Sequence, residues 1–164
     1  MEEGRLKVAV LGAAGRMGRE VLLAVSKARD MELVGAVDRD HHGVTAKELV
    51  GDGCSEVMIG GKVGTMLNEC QPDVVVEFTH LSAAPEHAMS CLGRKIPIVI
   101  GTSGLSNTDV SAIRSACLEN KTPAAIIPNF AVGAVLMTMF AEQAAKWMPN
   151  VEIIERHHGD KLDA

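Results

Sequence analysis

Two groups of residues in this chain have the types and spacing to do chemistry. The first is Gly12, Gly15 and Gly18, in the run Gly-Ala-Ala-Gly-Arg-Met-Gly, with Asp38 twenty residues beyond Gly18. Gly12 allows a tight turn out of a strand. Gly15 removes the Cβ that would hold a pyrophosphate off the backbone, and Gly18 lets a helix pack closely on a sheet. The start of that helix offers N–H groups and a partial positive charge to phosphates. A carboxylate at the distance of Asp38 suits ribose hydroxyls. Three glycines alone describe an ordinary turn. Strand, glycines, helix and acid at these spacings predict a dinucleotide site.

Asp38 is followed by Arg39, whose guanidinium can pair with a 2′-phosphate or stack on adenine, so the pair predicts tolerance of both NADH and NADPH. Arg16, inside the glycine turn, is a second cation near the phosphates, and a solvated surface charge is the plainer role for either arginine. Three further segments follow expected strand ends: Phe78-Thr79-His80, Gly101-Thr102-Ser103-Gly104 and Pro128-Asn129-Phe130. The Gly-Thr-Ser-Gly turn could hold a carboxamide or carboxylate, although by itself it reads as an ordinary loop. Asn129 could cap the helix after it.

The second group is the tail, Glu155-Arg156-His157-His158-Gly159-Asp160-Lys161. Histidine can donate a proton near neutral pH, and lysine can hold a carboxylate. A metal is the competing reading, but adjacent histidines point in different directions and no third ligand follows at a usual spacing, so no metal is expected. His41 and His42 read as a solvated pair, and His80 and His87 as structural or interfacial residues.

These residues need a scaffold. Strands are expected at 6–11, 32–38, 73–78, 96–100 and 124–127, and helices after the glycine turn and at 83–93 and 107–119. Ser106 and Asp109 give the last a capping-box start. A Gly-, His- and charge-rich loop covers 39–62, with a short helical piece at 63–70. Val and Ile runs without polar alternation suit strands covered on both faces, and their alternation with helices predicts a doubly wound parallel α/β sheet. A helix through 130–148 is apolar on most faces and needs a partner. A last strand is expected at 151–155. The chain therefore divides into a dinucleotide-binding domain, 1–129, and the beginning of an α+β substrate and oligomerisation domain, 130–164.

Composition narrows the class. Net charge is −5, and three Phe, one Trp and no Tyr leave few stacking platforms, which argues against nucleic acid. Cys54, Cys70, Cys91 and Cys117 form no C-x-x-C pair and read as core thiols. No apolar run reaches membrane-spanning length and no signal segment opens the chain, so a soluble, cytoplasmic protein with no membrane partner is expected.

Five motifs occur in order: Val-Leu-Gly-Ala-Ala-Gly-Arg-Met-Gly, Glu-Phe-Thr-His, Val-Ile-Gly-Thr-Ser-Gly, Pro-Asn-Phe-Ala-Val-Gly and Glu-Ile-Ile-Glu-Arg-His-His-Gly-Asp-Lys-Leu-Asp-Ala. Together, from about residue 6 to the last, they resemble the 4-hydroxy-tetrahydrodipicolinate reductases of lysine and diaminopimelate synthesis. The His-His-x-x-Lys-x-Asp-Ala segment is the distinctive one. The resemblance implies that Gly12, Ala13, Ala14, Gly15, Arg16 and Met17 bind the pyrophosphate, Asp38 the ribose and Arg39 the 2′-phosphate of NADPH or NADH. It implies that Gly101, Thr102, Ser103, Ile127, Pro128, Asn129 and Phe130 surround the nicotinamide half. His157 becomes the proton donor, His158 a substrate-carboxylate contact and Lys161 the catalytic cation. The implied reaction is hydride transfer to a cyclic, unsaturated imine-type dicarboxylate by a homo-oligomer, a tetramer in the family. Members are longer and continue past Asp-Ala into a Pro-Ser-Gly-Thr-type stretch, so a shortened chain that binds nucleotide with little turnover is expected. Two alternatives stand beside this reading. One is a non-catalytic NAD(P)-binding module of the same fold, redox-sensing or assembly-related. The other is a semialdehyde dehydrogenase, against which the lack of a cation-flanked cysteine at a helix start argues.

Overall fold

Val, Leu and Ile runs with no polar face must be covered on both sides, and a sheet sandwiched between helices does this. The protein is described by a computed structural model covering residues 4–127, 129–148, 150, 152 and 154. Its elements in chain order are β1 (Leu6–Leu11), α1 (Arg16–Lys27), β2 (Met31–Val37), α2 (Ala46–Val50), β3 (Ile59–Gly60), α3 (Val63–Cys70), β4 (Val74–Glu77), α4 (Ala84–Leu92), β5 (Ile98–Ile100), α5 (Asn107–Asn120), β6 (Ala124–Ile126) and α6 (Val132–Ala145).

The six strands form one parallel sheet in the order β3-β2-β1-β4-β5-β6. The chain works outward from β1 to β3, returns across the sheet to β4, and works outward the other way. The reversal falls between β1 and β4, and sheets of this type hold ligands beyond the carboxyl ends of the strands at such a point. Side chains alternate through β1. Val8 and Val10 pack with Leu22, Val25 and Ala46 of α1 and α2, while Ala9 and Leu11 pack with residues of α3, α4 and α5. The β1–β2 register shifts between Val8 and Ala9, which pair with Leu33 and Gly35 and leave Val34 bulged.

The expected doubly wound sheet is thus present, with differences in the elements. The loop expected over 39–62 contains α2, opened by a Thr45–Glu48 capping box, and β3, a two-residue strand on the edge of β2. The strand expected at 96–100 begins at Ile98, after Lys95 at φ 59° and Pro97, which has no N–H to give a ladder. α5 carries the expected Ser106–Asp109 capping box. All four cysteines are free thiols.

By compactness the chain separates into Met1–Ile127 and Pro128–Ala164. In the second unit, Asn129 Oδ1 accepts the Ala131 N–H at 2.9 Å, an Asx turn leading into α6 in place of the expected helix cap. No residue of α6 is buried. In the strand expected at 151–155, residues 151, 153 and 155 lie outside the described residues.

Candidate nucleotide-binding site

One row of backbone pairs defines the site. Gly60 pairs with Val37, Val37 with Leu11, Leu11 with Glu77, Glu77 with Ile100, and Ile100 with Ile126. The residues one step further, Asp38, Gly12, Phe78, Gly101 and Ile127, therefore emerge side by side at the carboxyl edge of the sheet.

Gly12 turns the chain there. It lies at φ +77°, and a Cβ on it would stand 2.7 Å from the Phe78 carbonyl carbon and 3.0 Å from the Thr79 nitrogen. A Cβ on Gly18 would stand 2.8 Å from the Gly12 carbonyl carbon. Gly18 thus packs against the turn's own backbone, a closer neighbour than the sheet expected from sequence. The Gly12 and Ala13 N–H groups both donate to the Val37 carbonyl, at 2.9 and 3.1 Å, and the Gly15 N–H closes onto the Gly12 carbonyl at 3.1 Å. Gly12, Ala13 and Gly18 are buried, whereas Gly15, Arg16 and Met17 are exposed at the tip. α1 starts with no side-chain cap and no acid in its first turn, unlike α2 and α5. Such a terminus suits an anion.

Asp38 is wired into this turn. Its Oδ2 accepts the Ala14 N–H at 2.9 Å, and its Oδ1 accepts the Asp40 and His41 N–H groups at 3.1 and 3.2 Å. His41 Nδ1 stands 3.4 Å from the same Oδ1. Arg19, which sequence reasoning passed over, donates from Nε to the Ala14 carbonyl at 2.9 Å and from Nη1 to the Leu49 carbonyl at 2.9 Å, tying the turn to the end of α2. Arg39 is exposed and forms a two-pronged pair with Asp40, both bonds 3.1 Å. That hydrogen bonding and charge attraction raise the guanidinium pKa and lower that of the Asp40 carboxyl. His42 Nδ1 lies 3.0 Å from the Arg39 carbonyl.

On the β4–β5 side, the Gly101 N–H donates to the Glu77 carbonyl at 2.8 Å and the Ile127 N–H to the Ile100 carbonyl at 2.9 Å. The fully buried Glu77 carboxylate accepts the Thr79 N–H at 2.8 Å, the Thr79 hydroxyl, and the Thr102 hydroxyl at 2.7 Å. Burial pushes its pKa up, but the hydrogen bonds from Thr79 and Thr102, with His87 Nδ1 3.7 Å away, outweigh that and hold it below the ordinary glutamate value. His87 therefore belongs to a polar cluster at the sheet edge. His80 Nδ1 accepts the Ser82 N–H at 3.3 Å.

The first unit thus brings together Gly12–Met17, Asp38–Arg39, Gly101–Ser103 and Ile127. Asn129 and Phe130 belong to the second unit, and Pro128, His157, His158 and Lys161 lie outside the described residues. Among the described residues no group of three His, Cys, Asp or Glu is placed to hold a metal ion, and no helix is long and apolar enough to cross a membrane.

A parallel sheet in this order, a steric glycine turn on its first strand and an acid closing its second define a dinucleotide-binding Rossmann protein. The family model described as "Dihydrodipicolinate reductase, N-terminus" matches residues 6–130. The chain belongs to the dihydrodipicolinate reductase family. The 4-hydroxy-tetrahydrodipicolinate reductase of Listeria innocua is 42% identical over 97% of this chain and 60% of its own length. That of Syntrophomonas wolfei is 41% identical over 98% of this chain, again 60% of its own length. The dipicolinate-bound dihydrodipicolinate reductase of Paenisporosarcina sp. TG-14 superimposes with a TM-score of 0.79 at 37% identity, over 98% of this chain and 61% of that one. The homoserine dehydrogenase of S. aureus, at 17% identity and a TM-score of 0.62 over 74% of this chain and 32% of that one, shares the fold alone. The chain spans about 60% of the length of the curated relatives it matches.

Proposed function

We propose that this chain is the nucleotide-binding portion, with the first part of the substrate domain, of an NADPH- or NADH-dependent 4-hydroxy-tetrahydrodipicolinate reductase. The observation that carries the reading is the bond from the Ala14 N–H to Asp38 Oδ2, which links the glycine turn directly to the acid closing β2. The residues fit a dinucleotide. Side chains at positions 12 and 18 would collide with the turn and the β4 loop, α1 begins uncapped, and the Asp38 carboxylate stands beside an exposed Arg39. Gly12–Met17 hold the pyrophosphate, Asp38 the adenosine ribose and Arg39 a 2′-phosphate. Gly101, Thr102 and Ser103, with Ile127, Pro128, Asn129 and Phe130, line the nicotinamide half.

Reduced nicotinamide, when bound, supplies the hydride that goes to a carbon of the cyclic imine-type dicarboxylate. His157 supplies the proton for the neighbouring carbon. His158 and Lys161 hold substrate carboxylate, and the Lys161 ammonium stabilises the negative charge that develops in the transition state. Residues 1–129 form the nucleotide domain and 130–164 open the substrate and oligomerisation domain of a cytoplasmic homo-oligomer in lysine and diaminopimelate synthesis.

Calorimetric titration with NADH and NADPH tests the nucleotide assignment. Both should bind, with affinities within about tenfold of each other. Absence of binding by either would refute it. Oxidation of NADPH in the presence of freshly generated hydroxy-tetrahydrodipicolinate, by this chain and by one extended to the length of the relatives, tests the substrate: turnover is expected of the longer chain and little or none of this one.

A further inference from the structure

Glu77 is the only buried charged side chain in the described core. A carboxylate taken out of water is costly unless its lone pairs are met, and an apolar residue would end a buried strand more cheaply. The answer lies in what this one binds. Oε1 takes both the N–H and the hydroxyl of Thr79, and Oε2 takes the hydroxyl of Thr102, which also points at the Thr79 carbonyl at 3.3 Å. His87 Nδ1 stands 3.7 Å from Oε1 and 3.3 Å from Thr79 Oγ1. Thr79 has one hydroxyl proton and gives it to the carboxylate, so the proton of the Thr79–His87 bond sits on Nδ1. Carboxylate, hydroxyls and ring join the loop after β4, the loop after β5 and helix α4.

The place of this cluster follows from the topology. If the glycine turn of β1 takes the pyrophosphate and Asp38 on β2 takes the adenosine ribose, the other half of the nucleotide must run toward β4 and β5. There it meets Phe78–Thr79 and Gly101–Ser103, the two segments that Glu77 fastens together. Both start in the same row as Gly12, whose turn abuts the Phe78 carbonyl.

We propose that Glu77 is a positioning residue for the nicotinamide half: it clamps the β4 loop to the β5 loop, so that the Gly101–Ser103 backbone is presented to the carboxamide in one fixed arrangement. Glu77 does not itself touch the nucleotide. The inference rests on the dinucleotide reading above, and its test separates the two.

The probes are NADH and ADP-ribose, which lacks only the nicotinamide, titrated calorimetrically into the wild type and into E77Q, T102V and T102S, with unfolding curves for each. Glu77→Gln replaces one acceptor oxygen by a donor. Thr102→Val removes one donor to Glu77, and Thr102→Ser keeps it. E77Q and T102V should lose about tenfold in NADH affinity while ADP-ribose affinity stays within about twofold. T102S, which keeps the hydroxyl donor to Glu77, should lose less NADH affinity than T102V. Equal losses of NADH and ADP-ribose, or no loss of either, would overturn the clamp. Should E77Q fail to fold, T102V and T102S decide the matter by the same two affinities. A wild type that binds neither probe would overturn the dinucleotide reading and the clamp with it. A wild type that binds both, with variants that do not discriminate, would overturn the clamp alone.

Discussion

Replacing Asp38 by asparagine keeps the size of the side chain but removes its charge and half of its acceptor capacity. In the structure Oδ2 holds the Ala14 N–H while Oδ1 holds those of Asp40 and His41. The asparagine carbonyl can serve one side only, and its amide then confronts an N–H, donor against donor. The Asp38 side chain is 14% exposed, so water repairs little of the damage. A hydrogen bond to a charged group contributes about 1.5–3 kcal/mol. Losing one outright predicts a destabilisation of about 2 kcal/mol, or about 6–10 °C in Tm for a domain of this size. Binding should follow the turn. From the sequence alone, Asp38 exchange is expected to harm NADH more, because NADPH keeps Arg39. The Ala14 bond changes this, since both nucleotides use the turn it orders, and both should weaken by about tenfold. Thermal unfolding by circular dichroism, with calorimetric titration of NADH and NADPH, measures both effects. An unchanged Tm with a loss confined to NADH would show that the carboxylate serves the ribose alone, and would refute the coupling.

Arg39→Ala should weaken NADPH by about tenfold and leave NADH nearly unchanged. Asp40→Asn, which frees the guanidinium from its neighbour, should strengthen NADPH by about two- to fivefold. Equal losses for both nucleotides in the arginine variant would contradict this. Glu77 titrates below its ordinary value in the folded protein. Its contribution to stability is therefore complete above the unfolded glutamate pKa of about 4.3 and is lost as pH falls through the lower folded value. The stability gap between wild type and E77Q, measured by urea unfolding, should hold from pH 7 to about pH 5 and shrink in stronger acid. A gap that widens in acid would reverse the assigned sign. In reductase assays of a version extended to the length of the relatives, His157→Ala and Lys161→Ala should depress kcat far more than nucleotide affinity. Comparable losses in both quantities would place these residues in nucleotide binding instead.

What was legible in the sequence was what the chain keeps close together. The glycine turn and Asp38 are separated by one helix and one strand, so their spacing alone implies a shared site, and the structure adds only the bond that joins them. The Thr45-x-x-Glu48 start of α2 is equally readable, although its five-residue helix sits within a charge-rich stretch. β3 was not readable, because two residues carry no periodicity and become a strand only through the edge of β2. The Glu77 cluster was not readable for a deeper reason. Its partners lie 2, 10 and 25 residues away, and only the pairing of β4 with β5 brings them to one carboxylate. Read along the chain, Glu77 is the polar end of a buried strand. Read across the sheet, it shares a row with Val37, Leu11 and Ile100, so Asp38, Gly12, Phe78 and Gly101 all leave the sheet at one level. Each strand end is a local property of sequence, while their alignment is a property of register. A slip of one residue between β4 and β5 would turn Glu77 to the opposite face from its present neighbours and carry Thr102 out of reach. The site therefore depends on register as much as on residue type, and register is the part that a single sequence does not spell out.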